Sequence, residues 1–334
     1  MTVSQTDIAR HLGITQKTVS RVFTTPKQVS AELRLKVLTA ARQLGYRPNS
    51  GTRSLRTGNF SSVVLVGSTV TEISPLPEFM MMGLEEVLTP AGVSLSFVRL
   101  SEDEQLKEFI PKAVRELITD GLLVNYHTNI PQLLVDLIEE QRLPAVWINS
   151  RHDTDCVRPD DVQAGDDLTR CLIKHGHQRI LYTDFSLEQS QFFHYSNKDR
   201  LTGYRTAMTR AGLTQHEAIP DHGIEPAAYA AAMLERHRPT ALITYGGFEA
   251  STFIIAAMRR GWEIPRDLSL ATFSPSPVYL GLSIATWLVP QLEMGRVAAR
   301  QLLNAVRGGT APAPAIALPF AHHLGASLAS PAVR

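Results

Sequence analysis

At 334 residues, 44% hydrophobic and 19% charged, the chain exceeds one ordinary domain and is too apolar to be disordered, so two or three packed units are expected. The formal net charge of +1 hides a polarity: residues 1–58 carry ten Lys/Arg against Asp7 and Glu32, a balance of +8, which leaves 23 against 30, or −7, for the remainder. A basic head on a mildly acidic body is the asymmetry of a chain whose one end meets a polyanion. No apolar run approaches 18 residues, which excludes a membrane-spanning helix, and the only cysteines, Cys156 and Cys171, show no metal-ligand spacing. The opening residues lack the apolar run of a signal peptide, so a cytoplasmic location is expected.

The first predicted helix is "SQTDIARHL", with Ile8, Ala9 and Leu12 on one face and Ser4 as its N-cap. Gly13 follows, where a chain leaving a helix takes a positive φ cheaply, and "TQKTVSRV" restarts with Thr15 as N-cap. A third helix, "VSAELRLKVLTAARQLGY", is capped by Ser30, has Leu33, Val37, Ala40, Ala41 and Leu44 as its apolar stripe, and ends at Gly45. Ala9, Gly13 and Val19 stand at helix-turn-helix spacing: a small residue lets the helices cross closely, a glycine turns the corner, and an apolar residue seats the second helix. Thr15, Gln16, Lys17, Thr18, Ser20 and Arg21 then form an exposed face able to enter a major groove. A plain helical hairpin would show the same triad, and the +8 charge counts against it.

The stretch "DIARHLGITQKTVSRVFTTPKQVSAELRLKVLTAARQLGYRPN" closely resembles the head of LacI/GalR-family bacterial transcriptional repressors, including Thr-Val-Ser-Arg, Val29-Ser30 and Leu-Gly-Tyr-x-Pro-Asn at 44–49. The resemblance implies operator double-stranded DNA as partner and a two-fold-related site read by a homodimer. Gln16, Lys17 and Arg21 are then expected at base edges, where Arg suits a guanine and Gln an adenine. Ser20, Ser30, Tyr46 and Asn49 are expected at phosphates, with Ser4, Gln5 and Thr15 completing the DNA-facing set. "RSLRTG" at 53–58 matches the family's hinge helix, which makes Leu55 a wedge for the minor groove. Gly51 and Thr52 depart from the family's better helix formers, so the hinge is expected to be poorly populated off DNA.

From Ser61, apolar runs alternate with helical patterns: "SSVVLVG", "PEFMMMGLEEVLTPAG", "VSLSFVRL", "KEFIPKAVRELITDG", "LLVNY", "IPQLLVDLIEEQRL" and "PAVWIN". The alternation resumes after "RHDTDCVRPDD" with "AGDDLTRCLIKHG", "RILYTDF", "NKDRLTGYRTAMTRAG", "PAAYAAAMLERH", "TALITYG", "EASTFIIAAMRRGW" and "LSLATFS". Such alternation predicts parallel sheets covered by helices, here as two α/β lobes. "DGLLV", "IKHGHQRI", "DRLTGYRTAM" and "PQLEMGRVAARQLL" extend the resemblance through the body, which implies a periplasmic-binding-protein-like fold crossed three times by the chain. The expected organisation is a helix-turn-helix head at 1–48, a hinge at 49–59, lobe one at 60–159 with 288–318, and lobe two at 160–287 with 319–334. "GGTAPAPA" reads as a flexible connection before a last strand.

His175 and His177 lie in a helix-to-strand turn, where the family also has Gly-His, so no metal site is expected there. Met80 to Met82 read as helix packing at a lobe or subunit surface, and the cysteines as buried thiols. No phosphate loop, nucleophile elbow or paired catalytic carboxylates are legible, so neither an enzyme nor a cofactor is expected. The absence of a leucine heptad after the last strand favours a dimer. The rival readings are a small-molecule binding protein without DNA control, an enzyme on an α/β scaffold, and a regulator that has lost effector response.

Family members that bind sugars place acceptors at positions matching Asn149, Gly246 with Gly247, and Ser274, so the acceptors are largely gone here. The ligand-clamping arginine remains as Arg200. With few carboxylate partners it favours an anionic, carbohydrate-like effector, with His152, His194 and Tyr195 as candidate helpers. The alternative is that Arg200 pairs with Asp160 or Asp161 and the cleft takes a neutral ligand or none.

Overall fold

The computed structural model describes residues 3–25, 28–46, 61–69, 77–100, 119–126, 130–185, 194–220, 224–279, 281–308 and 311–331. The chain divides into two compact units, Met1–Phe60 and Ser61–Arg334.

The head holds α1 (Gln5–Leu12), α2 (Gln16–Thr24) and α3 (Ala31–Gln43). Each begins at the cap read from the sequence: Ser4 accepts from the Asp7 amide, Thr15 from the Thr18 amide and Ser30 from the Leu33 amide. At α1 the arrangement is reciprocal, since the Asp7 carboxylate accepts the Ser4 N–H at 2.9 Å. Gly13 adopts φ 66°, the left-handed conformation that the corner requires. Ile8, Ala9, Val19, Val22, Val37, Ala40 and Ala41 close the core. Leu33 and Leu44, expected inside, are half-buried at its edge.

In the body, one sheet has the order β13-β5-β4-β3-β1-β2, all neighbours parallel. These strands are β1 (Ser62–Ser68), β2 (Ser94–Leu100), β3 (Gly121–Asn125), β4 (Ala145–Ile148), β5 (Cys156–Pro159) and β13 (Ile316–Leu318). Helices α4 (Glu78–Leu88) and α5 (Gln132–Gln141) connect its strands. The second sheet runs β14-β12-β9-β8-β6-β7 and is parallel except for β14 (Ala321–His323). Its other strands are β6 (Ile180–Thr183), β7 (His216–Ala218), β8 (Ala241–Thr244), β9 (Ser269–Ser274) and β12 (Ala285–Leu288). The helices α6 (Asp161–Lys174), α7 (Tyr195–Arg210), α8 (Pro226–His237) and α9 (Gly247–Arg259) alternate with them. A two-residue hairpin, β10 (Val278–Tyr279) with β11 (Leu282–Ser283), stands apart, and α10 (Gln291–Val306) packs back on α4.

The chain therefore moves between the sheets after Pro159, after Leu288 and after Leu318. Both sheets are covered by apolar clusters on both faces, which is why β1, β3, β6 and β8 read as unbroken apolar runs. Three readings change. "CVRP" within the segment passed over as a connection is strand β5, buried apart from the half-buried Arg158. The last strand is two short strands, one in each sheet. α6 begins at Asp161 rather than near Ala164, because Asp160 accepts the Gln163 amide and starts the helix earlier. The expected helix "KEFIPKAVRELITDG" lies largely outside the described residues.

Two helix pairs cross with their backbones in contact. A Cβ on Gly83 or Gly295 would overlap the carbonyl of Leu292 or Met80, and one on Gly165 or Gly203 would overlap that of Arg200 or Val162. The second crossing sets α7 against the first turns of α6, and this brings Arg200 within reach of Asp161.

Candidate functional site

In the head, Thr15, Gln16, Lys17 and Arg21 are exposed along α2, and Ser20 is half-buried beside them. Neither Lys17 nor Arg21 has a carboxylate partner among the described residues, whereas Arg10 pairs with Asp7 at 3.2 Å and Lys36 with Glu32 at 2.9 Å. Gln16 donates to the Gln5 side chain at 3.3 Å, so these two expected contacts form one unit across the corner. Ser4 is exposed, but its hydroxyl donates to Asp7 at 2.7 Å while accepting from the Asp7 amide, so the capping box already uses it. Ser30 caps α3, and Tyr46 is half-buried with its ring 5.4 Å from that of Phe23. Asn49, Leu55, Gly51 and the rest of the expected hinge lie outside the described residues.

In the body, Arg200 is the centre of a buried group. Its Nε donates to Asp161 Oδ1 at 2.8 Å and its Nη1 to the Tyr245 carbonyl at 3.1 Å. The guanidinium carbon lies 4.6 Å from the Tyr245 ring centre, 4.9 Å from that of Phe273 and 5.7 Å from that of Phe320. Burial works against its charge, and the Asp161 carboxylate overrides that, holding the arginine charged above its ordinary value. The expectation of an arginine short of carboxylates is thus corrected: α6 supplies Asp161, and the pair is neutral overall. The ion pair found is with Asp161, while Asp160 Oδ1 accepts the Gln163 amide as the cap of α6.

Asn149 ends β4 in the left-handed conformation, φ 55°. Its Oδ1 accepts the Tyr195 hydroxyl at 3.1 Å, and its carbonyl meets His194 Nε2 at 3.3 Å. Burial pushes the Tyr195 phenol well above its ordinary pKa. His152, expected beside them, stacks on Trp147 with centres 4.1 Å apart. Gly246 forms the N-cap of α9 and offers no side chain. Ser274 ends β9, next to the Phe273 that covers Arg200, and its hydroxyl accepts the Ser276 amide at 3.2 Å. Sequence reasoning missed a second polar group. Asp184, after β6, accepts from Asn197 at 2.8 Å, and Glu249 accepts the Phe185 amide at 3.2 Å. Burial and then the charge of Asp184 push Glu249 up to about 7. Its signal in the sequence was a carboxylate three residues past a glycine at a helix start.

Cys156 is buried and its thiol meets the Ser150 carbonyl at 3.1 Å, whereas Cys171 is only half-buried. His177 is bonded to Thr240 and the Ala329 carbonyl, a structural role. Among the described residues no group of three His, Cys, Asp or Glu is placed to hold a metal, and no helix is long and apolar enough to cross a membrane.

The family model for bacterial regulatory proteins of the lacI family matches residues 5–49, and that for a periplasmic binding protein-like domain matches 169–328. The chain belongs to the LacI family. It is a DNA-binding transcriptional regulator with a helix-turn-helix head and a periplasmic-binding-protein-like body. Among LacI-family relatives, the transcriptional repressor PurR of Klebsiella pneumoniae (strain 342) is 28% identical, the match covering 90% of this chain and 89% of PurR. Catabolite control protein A of Priestia megaterium is 24% identical over 96% and 97%, and the regulator GntR of Escherichia coli K12 is 25% identical over 96% and 97%. All three are regulators rather than enzymes. The fold matches the lac repressor dimer bound to operator and an anti-inducer, with a TM-score of 0.77 at 21% identity over 98% of this chain and 99% of that one. It also matches the regulator CelR in complex with cellobiose, with a TM-score of 0.65 at 21% identity over 97% and 99%.

Proposed function

We propose that this LacI-family protein is a cytoplasmic repressor that binds a two-fold-related operator as a homodimer and is controlled by a small-molecule effector held between its lobes. The observation that carries the DNA reading is the exposed, acid-free face of α2, with Gln16, Lys17 and Arg21 turned outward on a head of charge +8. A single head has too little contact area for a specific site, and pairing two of them supplies it. An apolar surface in the body supports self-association: Phe248, Ile255 and Met258 on α9 are exposed, as are Val278 and Leu282 of the neighbouring hairpin. Ser20, Ser30, Tyr46 and Asn49 serve as phosphate contacts in this reading, and Leu55 as the bending wedge.

Arg200, neutralised by Asp161, gives no support to an anionic effector. A neutral ligand is the reading this pair favours, with Asn149 and Ser274 as the polar side chains at the ends of β4 and β9. Arg21→Ala is expected to weaken operator binding by about 1–3 kcal/mol and to relax base preference at one position of each half-site. Fluorescence anisotropy against a set of single-base operator variants checks this. Uniform weakening on every sequence would assign Arg21 to phosphate alone.

A further inference from the structure

The β4–β5 loop and the start of α7 belong to different sheets, yet they are joined by direct bonds. On the first sheet's side, Asn149 is fixed by its own amide, which donates to the Val157 carbonyl at 2.8 Å, and by its left-handed turn. Asparagine tolerates that conformation better than most residues. The turn aims both the Asn149 carbonyl and its side-chain oxygen at α7, where His194 and Tyr195 meet them at 3.3 and 3.1 Å. Arg151 forms an ion pair with Asp199, and its guanidinium carbon stands 5.4 Å from the Tyr195 ring centre.

The direction of these bonds is fixed by a backbone group. The Ser196 N–H can only donate, and it donates to His194 Nδ1 at 3.2 Å as the N-cap bond of α7. A neutral imidazole that accepts at Nδ1 carries its proton on Nε2, so Nε2 donates to the Asn149 carbonyl. Ser196 Oγ lies 2.6 Å from the same Nδ1 and 2.7 Å from the Tyr245 hydroxyl. The serine therefore donates to the histidine and accepts from Tyr245, the residue whose carbonyl holds Arg200. A one-way chain runs from Tyr245 through Ser196 and His194 to Asn149.

We propose that His194, Tyr195 and the Arg151–Asp199 pair form a built-in bridge between the lobes, which holds them together without any ligand. The bridge uses the Asn149 side chain, so a ligand that claims this acceptor must first displace the Tyr195 hydroxyl. That consequence rests on the effector-controlled reading; the bridge itself does not, and ligand-free protein tests it alone.

The experiment is hydrogen–deuterium exchange on the full chain without ligand, comparing wild type with Tyr195→Phe and Asp199→Asn. Both substitutions lie on α7, and both are expected to speed exchange by about threefold to tenfold across 149–157, in the other lobe, while β8 and β9 keep their wild-type rates. Arg151→Ala, an exposed loop substitution, is expected to give the reciprocal acceleration at 195–199. Acceleration confined to the segment carrying the substitution, or spread equally over β8 and β9, would overturn the bridge.

Discussion

Replacing Arg200 with methionine is expected to destabilise the body by about 3–5 kcal/mol, the largest loss for any single polar substitution in it. Asp161 is fully buried, one of its oxygens depends on Arg200, and the other has no hydrogen-bond partner among the described residues. Removing the cation leaves a fully buried carboxylate without its ion-pair partner. The double variant Arg200→Met with Asp161→Leu should recover most of the loss, because an apolar pair of similar volume removes both charges together. Urea unfolding followed by tryptophan fluorescence reads the body alone, since Trp147, Trp262 and Trp287 all lie there. A loss below about 1 kcal/mol, the range of solvent-exposed pairs, would mean that Asp161 does not neutralise Arg200 and would restore the case for an anionic effector.

The second large effect is a pH dependence at Glu249. Burial, and then the charge of Asp184, lift this carboxyl from 4.5 to about 7 in the folded chain. The folded state thus holds the proton more tightly than the unfolded one. The stabilisation is complete below the unfolded value and is lost as pH rises through 7. At 1.36 kcal/mol per pH unit the loss between pH 5 and pH 8 is about 2.5 kcal/mol. Glu249→Gln should flatten that slope and make the protein more stable than wild type at pH 8, with little change at pH 5. Because the Asp184 charge adds to burial in raising the Glu249 carboxyl, Asp184→Asn should lower the Glu249 midpoint rather than abolish it. Unfolding curves at pH 5 and pH 8 decide it. An unchanged slope in the Gln variant would place the titration elsewhere.

What was legible beforehand divides along the range of the interactions. Ser4, Thr15 and Ser30 were readable as caps and Gly13 as the corner because each acts on amides within a few residues. The sheets were readable because strands buried on both faces must be apolar throughout. β5 escaped because Arg158 and Pro159 interrupt that pattern, although Cys156 and Val157 are fully buried. The partner of Arg200 could be narrowed to two neighbouring aspartates and no further. Asp161 pairs while Asp160 caps α6, and that division depends on where the chain leaves the first sheet. The crossings at Gly165 and Gly203, and the bonds from Asn149 to α7, depend on contacts between segments far apart in the chain, and no local pattern announces them.

The central claim, sequence-specific binding to a two-fold operator, is tested most directly by equilibrium binding of the full chain to duplexes enriched from a random pool, measured by anisotropy over a salt series. The account predicts enrichment of two inverted half-sites, affinity at least about a thousandfold above that for scrambled duplex, and a log K that falls linearly with log salt. Equal affinity for enriched and scrambled duplexes would contradict it.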